Sequence, residues 1–162
     1  HVFGDVKADT ADEVLTNWDE IKRRTKHQKS VAQSIDSIPR ELPALMRAAK
    51  IRSRAAKTGF DFDSTDSALD KITEETAELK EAVASGDKAK ISDELGDLLF
   101  AAVNVARFTG VEAEESLTAS SDKFSSRFKI TEELAKQKNI DMKSASIKEL
   151  DVLWDEAKKL TK

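Results

Sequence analysis

The chain contains no cysteine, which excludes disulfides and thiolate metal sites and suits a reducing compartment. It has only two prolines and five glycines, and aromatic residues make up 6%. Such a shortage of turn formers and strand-favouring aromatics argues for helices and against a sheet of many short strands. No stretch approaches the roughly 20 consecutive apolar residues needed to cross a bilayer, and the amino terminus lacks a signal-peptide pattern. The formal net charge of -4 supplies no bulk positive field for nucleic acid or an anionic membrane. A soluble, cytoplasmic protein is expected, with neither nucleic acid nor membrane as partner. The chain opens at His1 without an initiator methionine, which predicts a processed chain or an excised part of a longer one.

What is abundant is charge, at 36% of 162 residues, enough chain for one domain spanning 1–162 with a sizeable core. Residues 1–9 read as loop. Val14, Leu15, Trp18 and Ile21 mark a helical face from about Thr10 to Arg24, capped at Asp9 or Thr10. Residues 25–40 are polar, with three serines and no sustained period, and are expected to be a linker. Pro43 suits the first turn of a helix with Leu42, Leu45, Met46, Ala49 and Ala56 on its buried side and Gly59 closing it. Ser64 is the expected cap of a helix pair over about 65–85 and 88–108, ending at Gly110. Further helices follow over about 113–138, with Leu117, Phe124, Phe128 and Leu134 inward, and 146–160, with Ile147, Leu150, Leu153, Trp154 and Ala157 inward. The fold class is therefore all-α, a helical bundle around the 65–108 hairpin.

That hairpin carries the chemistry. Glu75 and Glu78 are three apart on its first helix, Glu94 and Asp97 three apart on its second, so each pair shares a helix face. Glu78 and Glu94 each lie eight residues from Gly86, and Glu75 and Asp97 each lie eleven from it. Folding back at Gly86 brings the four level, roughly 12 to 17 Å below the turn at 1.5 Å per residue. Leu69, Ile72, Leu79 and Val83 flank them on one helix and Ile91, Leu95, Leu98, Leu99 and Ala102 on the other, so the acids are expected to border a buried seam. Four carboxylates without histidine or cysteine suit a hard cation, Mg2+ or alternatively Mn2+. Acids on a charge-rich helix are commonly just solvated; the equal offsets, the apolar flanks and the shortage of compensating cations favour the metal. Glu74 lies farther round as an outer ligand or base, and Glu81 faces solvent.

The pattern Glu74-Glu75-x-x-Glu78 followed by Glu94-x-x-Asp97 resembles the acidic motif of the MazG-type nucleoside triphosphate pyrophosphohydrolases. So do H-V-F-G-D at the start, I-P-R-E-L-P-A-L-M-R-A at 38–48, G-F-D-F at 59–62, E-L-G-D-L-L-F at 94–100 and V-N-V-A-R at 103–107. The likeness covers nearly the whole chain and is strongest to the carboxy-terminal half of tandem-domain members. It implies the all-α fold of that family, a homodimer, and Mg2+-dependent cleavage of a nucleoside triphosphate between its α- and β-phosphates. It also implies Glu75, Glu78, Glu94 and Asp97 as metal ligands. D-K-F-S-S-R-F resembles a segment whose Lys and Arg contact phosphate, here Lys123 and Arg127, with Ser126 departing from the usual arginine. Trp154 and Lys158 resemble a W-x-x-x-K that contacts the nucleoside, and Lys90, one turn before Glu94, is a further phosphate candidate. On the residues alone, Trp154 reads more readily as core and the Lys/Arg pair more readily as a solvated face; the resemblance is what gives them the substrate roles. A non-catalytic helical dimerisation module that keeps its metal is the alternative function. His1 and His27 have no partner pattern.

Overall fold

The computed structural model describes residues 30–161, and these are helix and turn throughout, with no strand among them. The expected first helix with Val14, Leu15, Trp18 and Ile21, the loop 1–9, His1 and His27 lie outside the described residues. The described residues fall into two compact units that divide between Val111 and Glu112.

In the first unit, α1 (Val31–Asp36) is a short helix inside the stretch expected to be a linker. Ser30 caps it by accepting the backbone N–H of Gln33 at 3.2 Å. At its far end, Arg54 donates to the carbonyl of Ser34 and, at 3.1 Å, to the hydroxyl of Ser37. These bonds serve carbonyl and hydroxyl groups that a helix end leaves open. Val31, Ile35 and the buried Ile38 stand at helical spacing, a signal hidden among the serines.

Helix α2 (Ala44–Ala56) starts one residue after Pro43, which is its N-cap at φ -47° and not part of its first turn. Leu45, Ala49 and Ala56 are half-buried while Met46 is exposed, so its inward face is shallower than the sequence implies. The helix ends at Ala56, and Gly59, at φ 84°, shapes the turn beyond it.

Helices α3 (Thr65–Ser85) and α4 (Lys88–Thr109) form the expected hairpin, and α2 packs on α4. Ser64 caps α3 through the N–H of Ser67 at 3.1 Å. Gly86 ends α3 in the left-handed region at φ 70°, where a side chain is strained. Asp87 then starts α4 at once, accepting from the N–H groups of Ala89 at 2.9 Å and Lys90 at 3.3 Å.

The seam of the hairpin follows a coiled-coil-like spacing. On α3, Ala68, Ile72, Glu75, Leu79 and Ala82 alternate four and three apart; on α4, Ile91, Glu94, Leu98 and Ala101 alternate three and four apart. Ala68, Glu75, Ala82 and Ala101 are buried, and the alanines leave room for the helices to approach. Leu69, Val83, Leu95, Leu99 and Ala102, expected to wall the acids in, are exposed. A two-helix contact buries only a narrow stripe, and these residues lie beside it.

In the second unit, α5 (Ala113–Gln137) packs on α6 (Ile147–Leu160). The core is Leu134, Ala135, Leu153 and Ala157, with Ile130, Ile140, Met142 and Leu150 against it. This core takes in the carboxy-terminal part of α5, and Leu117, Phe124 and Phe128, expected inward, are exposed, as is Ile147. A capping box fixes the start of α6: Ser146 Oγ accepts the N–H of Glu149 at 3.3 Å, and Glu149 Oε2 accepts the N–H of Ser146 at 2.9 Å.

Candidate active site

Three of the four expected carboxylates converge. Glu75, Glu78 and Glu94 each offer an oxygen within 4.8 Å of the others. The two helices supply this geometry because Glu75 and Glu94 occupy seam positions while Glu78, one turn from Glu75, leans over the edge. Glu75 is only 4% exposed and Glu94 half-buried, whereas Glu78 is exposed. One oxygen of Glu75, Oε2, is buried without any hydrogen-bond partner. A buried, unpaired carboxylate oxygen is costly, and together with the two other carboxylates it could hold a cation. The Glu78 carboxyl is raised above its ordinary pKa by partial loss of water and then by the charges of Glu75 and Glu94.

Asp97 is not in this triple. It is exposed and lines a cavity of about 300 Å³ together with Glu75, Lys71, Arg52, Phe62, Phe100, Ala101 and Asn104. On its other side it lines an open depression with Lys90 and Asp93. Glu74 is exposed, as is Glu81.

The expected shortage of compensating cations is corrected by Lys71. Its Nζ lies 2.8 Å from Glu74 Oε1 and 2.5 Å from Glu75 Oε1, and these two bonds raise its pKa. Its position three and four residues before the two glutamates is the signal that could have found it.

A second polar group missed by the sequence reading borders the same cavity. Asn104, 2% exposed, accepts at Oδ1 from Arg52 Nε at 3.2 Å, Arg107 Nε at 3.1 Å and Arg107 Nη2 at 3.0 Å. Asp61 holds both guanidiniums, paired closely with Arg107 and 3.6 Å from Arg52. The Arg52 guanidinium also lies over the rings of Phe62 at 5.5 Å and Phe100 at 5.9 Å. Burial lowers the Arg52 pKa, and Arg107 adds to this against the opposing charge of Asp61. A polar residue amid A-A-V-N-V-A was the visible clue.

The remaining expected residues are in the second unit. Lys123 is exposed, and Arg127 Nε donates to Thr161 Oγ1 at 3.1 Å. Trp154 is half-buried, with its ring centroid 5.1 Å from that of Phe124, and Phe124 stacks on Phe128 at 6.0 Å. Lys158 is engaged by Asp155 at 2.6 Å.

Residues 63–131 match the MazG nucleotide pyrophosphohydrolase domain. The chain is 39% identical over 163 residues to the nucleoside triphosphate pyrophosphohydrolase of Escherichia coli K12, covering 98% of this chain and 61% of that protein. It is 37% identical over 158 residues to the nucleoside triphosphate pyrophosphohydrolase/pyrophosphatase MazG of Thermotoga maritima, covering 98% and 59%. An uncharacterized protein of Bacillus subtilis, YabN, is 42% identical over 159 residues, covering 98% of this chain and 32% of that one. The chain thus spans less than two thirds of the length of each of these relatives.

Proposed function

Since the chain belongs, through residues 63–131, to the MazG nucleotide pyrophosphohydrolase domain family, we propose that it cleaves nucleoside triphosphates between the α- and β-phosphates, giving monophosphate and pyrophosphate. The observation that carries this is the buried, unpartnered Oε2 of Glu75 beside Glu78 and Glu94. Three oxygen ligands without nitrogen or sulfur suit Mg2+, or Mn2+ in its place. Glu75, Glu78 and Glu94 would hold the ion, with Asp97 joining from the adjoining cavity. When bound, such an ion neutralises phosphate charge as a Lewis acid and lowers the pKa of a bound water.

The protein's own groups do the rest. Lys71 fixes Glu75 in its rotamer by the ion pair and keeps part of the cluster's charge balanced. Glu74, exposed and held by Lys71, serves as the rim carboxylate that takes a proton from water. Lys90, Lys123, Arg127 and Lys158 supply cations for the phosphates, and Trp154 an aromatic face. The exposed Leu69, Val83, Leu95 and Leu99 support self-association as a homodimer. No helix among the described residues is long and apolar enough to cross a membrane, and the absence of cysteine agrees with a cytoplasmic site of action.

The test is pyrophosphate release from a panel of nucleoside triphosphates with Mg2+, Mn2+ or chelator, in wild type and Glu78→Gln. Metal-dependent release lost in the variant supports the proposal. Metal binding with no turnover of any triphosphate would instead favour the dimerisation module.

A further inference from the structure

The Asn104 amide can face only one way. Both of its neighbours at Oδ1 are guanidiniums, which donate and never accept, so the carbonyl oxygen must point to Arg52 and Arg107. The NH2 group is thereby turned elsewhere. Its nitrogen, Nδ2, is buried and has no hydrogen-bond partner. An amide donor held this way by three bonds and left unpaired is costly unless something outside the chain accepts from it.

Asn104 lines the cavity that also reaches Glu75 and Asp97. Its volume, about 300 Å³, is at the lower end of small-molecule sites, about 300–1,000 Å³. The two ends of the cavity differ in chemistry. Glu75, Asp97 and Lys71 form a charged end; Phe62, Phe100, Ala101, Arg52 and Asn104 form an end with flat apolar faces and donors only. Asp97 and Asn104 are seven residues apart on one helix, a rise of about 10.5 Å, which is the scale of a nucleotide from its first phosphate to its base. Aromatic faces and a guanidinium plane are the usual platforms for stacking a base.

We infer that this cavity takes the nucleobase, and that the Asn104 NH2 selects a base carrying a carbonyl group, as in guanine, hypoxanthine, uracil or thymine, over adenine, whose corresponding edge is an amino group. The inference rests on the proposed function for the kind of ligand, and it seats the base on residues of the first unit. Asn104 is in this view a specificity-determining residue, and Arg52, Arg107 and Asp61 are positioning residues that lock its amide.

Asn104→Asp isolates the donor, because a carboxylate still accepts from both arginines but offers no N–H. The experiment measures Mg2+-dependent binding of two triphosphate analogues that resist cleavage between the α- and β-phosphates. One carries guanine, the other 2-aminopurine, which lacks the carbonyl. Wild type should bind the guanine analogue about 10- to 100-fold more tightly, the effect of a carbonyl meeting its donor in a buried site. In Asn104→Asp that ratio should fall to near one with the melting temperature held or raised. Equal affinities in wild type overturn the inference without reference to any variant. A ratio unchanged in Asn104→Asp, or one that moves in Trp154→Ala in its place, also overturns it. Pyrophosphate release by wild type is read in parallel and decides the proposed function separately, since base discrimination in binding requires no turnover.

Discussion

At Glu94, helix α4 meets a cluster of like charges; about three turns further on, at Asn104, the same helix meets a cluster of mixed ones. The first leaves a buried carboxylate oxygen with no partner and raises the pKa of Glu78. The second balances two guanidiniums against Asp61 and the Asn104 carbonyl, with only one amide donor left over. Mixed charge lets a protein satisfy itself, so the Asn104 cluster ties α2, the turn after it and α4 together. Like charge is satisfied from within only in part, by Lys71 on one oxygen of Glu75. On the proposed function a bound cation supplies the rest, and this difference sets the carboxylate cluster apart from the Asn104 network.

The largest test of the contrast removes one ligand charge at a time. Glu78→Gln and Asp97→Asn should each lower kcat by more than about 100-fold, beyond the usual cost of losing a mere outer partner of a metal ligand. Near-wild-type turnover in both, at limiting Mg2+, would dissolve the distinction between the clusters. Asp97 is the sharper case, because it stands in the cavity wall and outside the triple.

Stability gives the next test. At Mg2+ a hundredfold above its dissociation constant, a cation that binds only the folded chain adds about 2.7 kcal/mol. Calorimetry with Mg2+ against Na+ at matched ionic strength reads this, and Glu78→Gln should stabilise the metal-free protein and erase the Mg2+ response. Arg107→Ala should act oppositely, costing about 1–3 kcal/mol by removing two of the three hydrogen bonds to the buried Asn104 oxygen and leaving Arg52 as its donor, while the Mg2+ increment survives. Should Arg107→Ala abolish that increment, the two clusters are one unit.

Much of this was legible beforehand. Ser64, Gly86 and Gly110 are local signals, and they bound the hairpin where the sequence puts them. Equal offsets from Gly86 bring Glu78 beside Glu94 because helical rise is uniform. What was not legible depends on distant partners. Arg52 and Asn104 are 52 residues apart, and no spacing rule joins them. Helix α1 is steadied by Arg54 from α2, and the exposure of Leu69, Val83, Leu95 and Leu99 reflects how few neighbours a helix pair has. Lys71, by contrast, pairs within its own helix, three and four residues before Glu74 and Glu75, and is legible from the i,i+4 rule.

The smallest effects are in pH. The raised pKa of Glu78 means that the folded chain holds its proton more firmly than the unfolded one. Metal-free stability should therefore decline as pH rises from the ordinary glutamate value through the raised one, and Mg2+ should reverse that slope. Glu149, in the capping box of α6, is the opposite case: its backbone and hydroxyl bonds to Ser146 lower its pKa. Its contribution is full above the ordinary glutamate value and is lost as pH falls through the lowered one. Amide protection at the start of α6, taken relative to the intrinsic exchange rate at each pH, should fall there, and a slope unchanged in Glu149→Gln would remove the cap from the account.

Gly86 and Asp87 are all that separates α3 from α4. Surface connections ordinarily absorb insertions with little penalty, but this one acts as a ruler. One added residue, if taken up as helix, turns everything after it by about 100° and advances it by about 1.5 Å. Glu94 would then leave the seam for the surface and Asn104 would swing away from Arg52, so a single insertion would disconnect both clusters without altering any residue in either. Length at this turn is thus under tighter constraint than composition, and a one-residue insertion there should be more damaging than most substitutions within the helices.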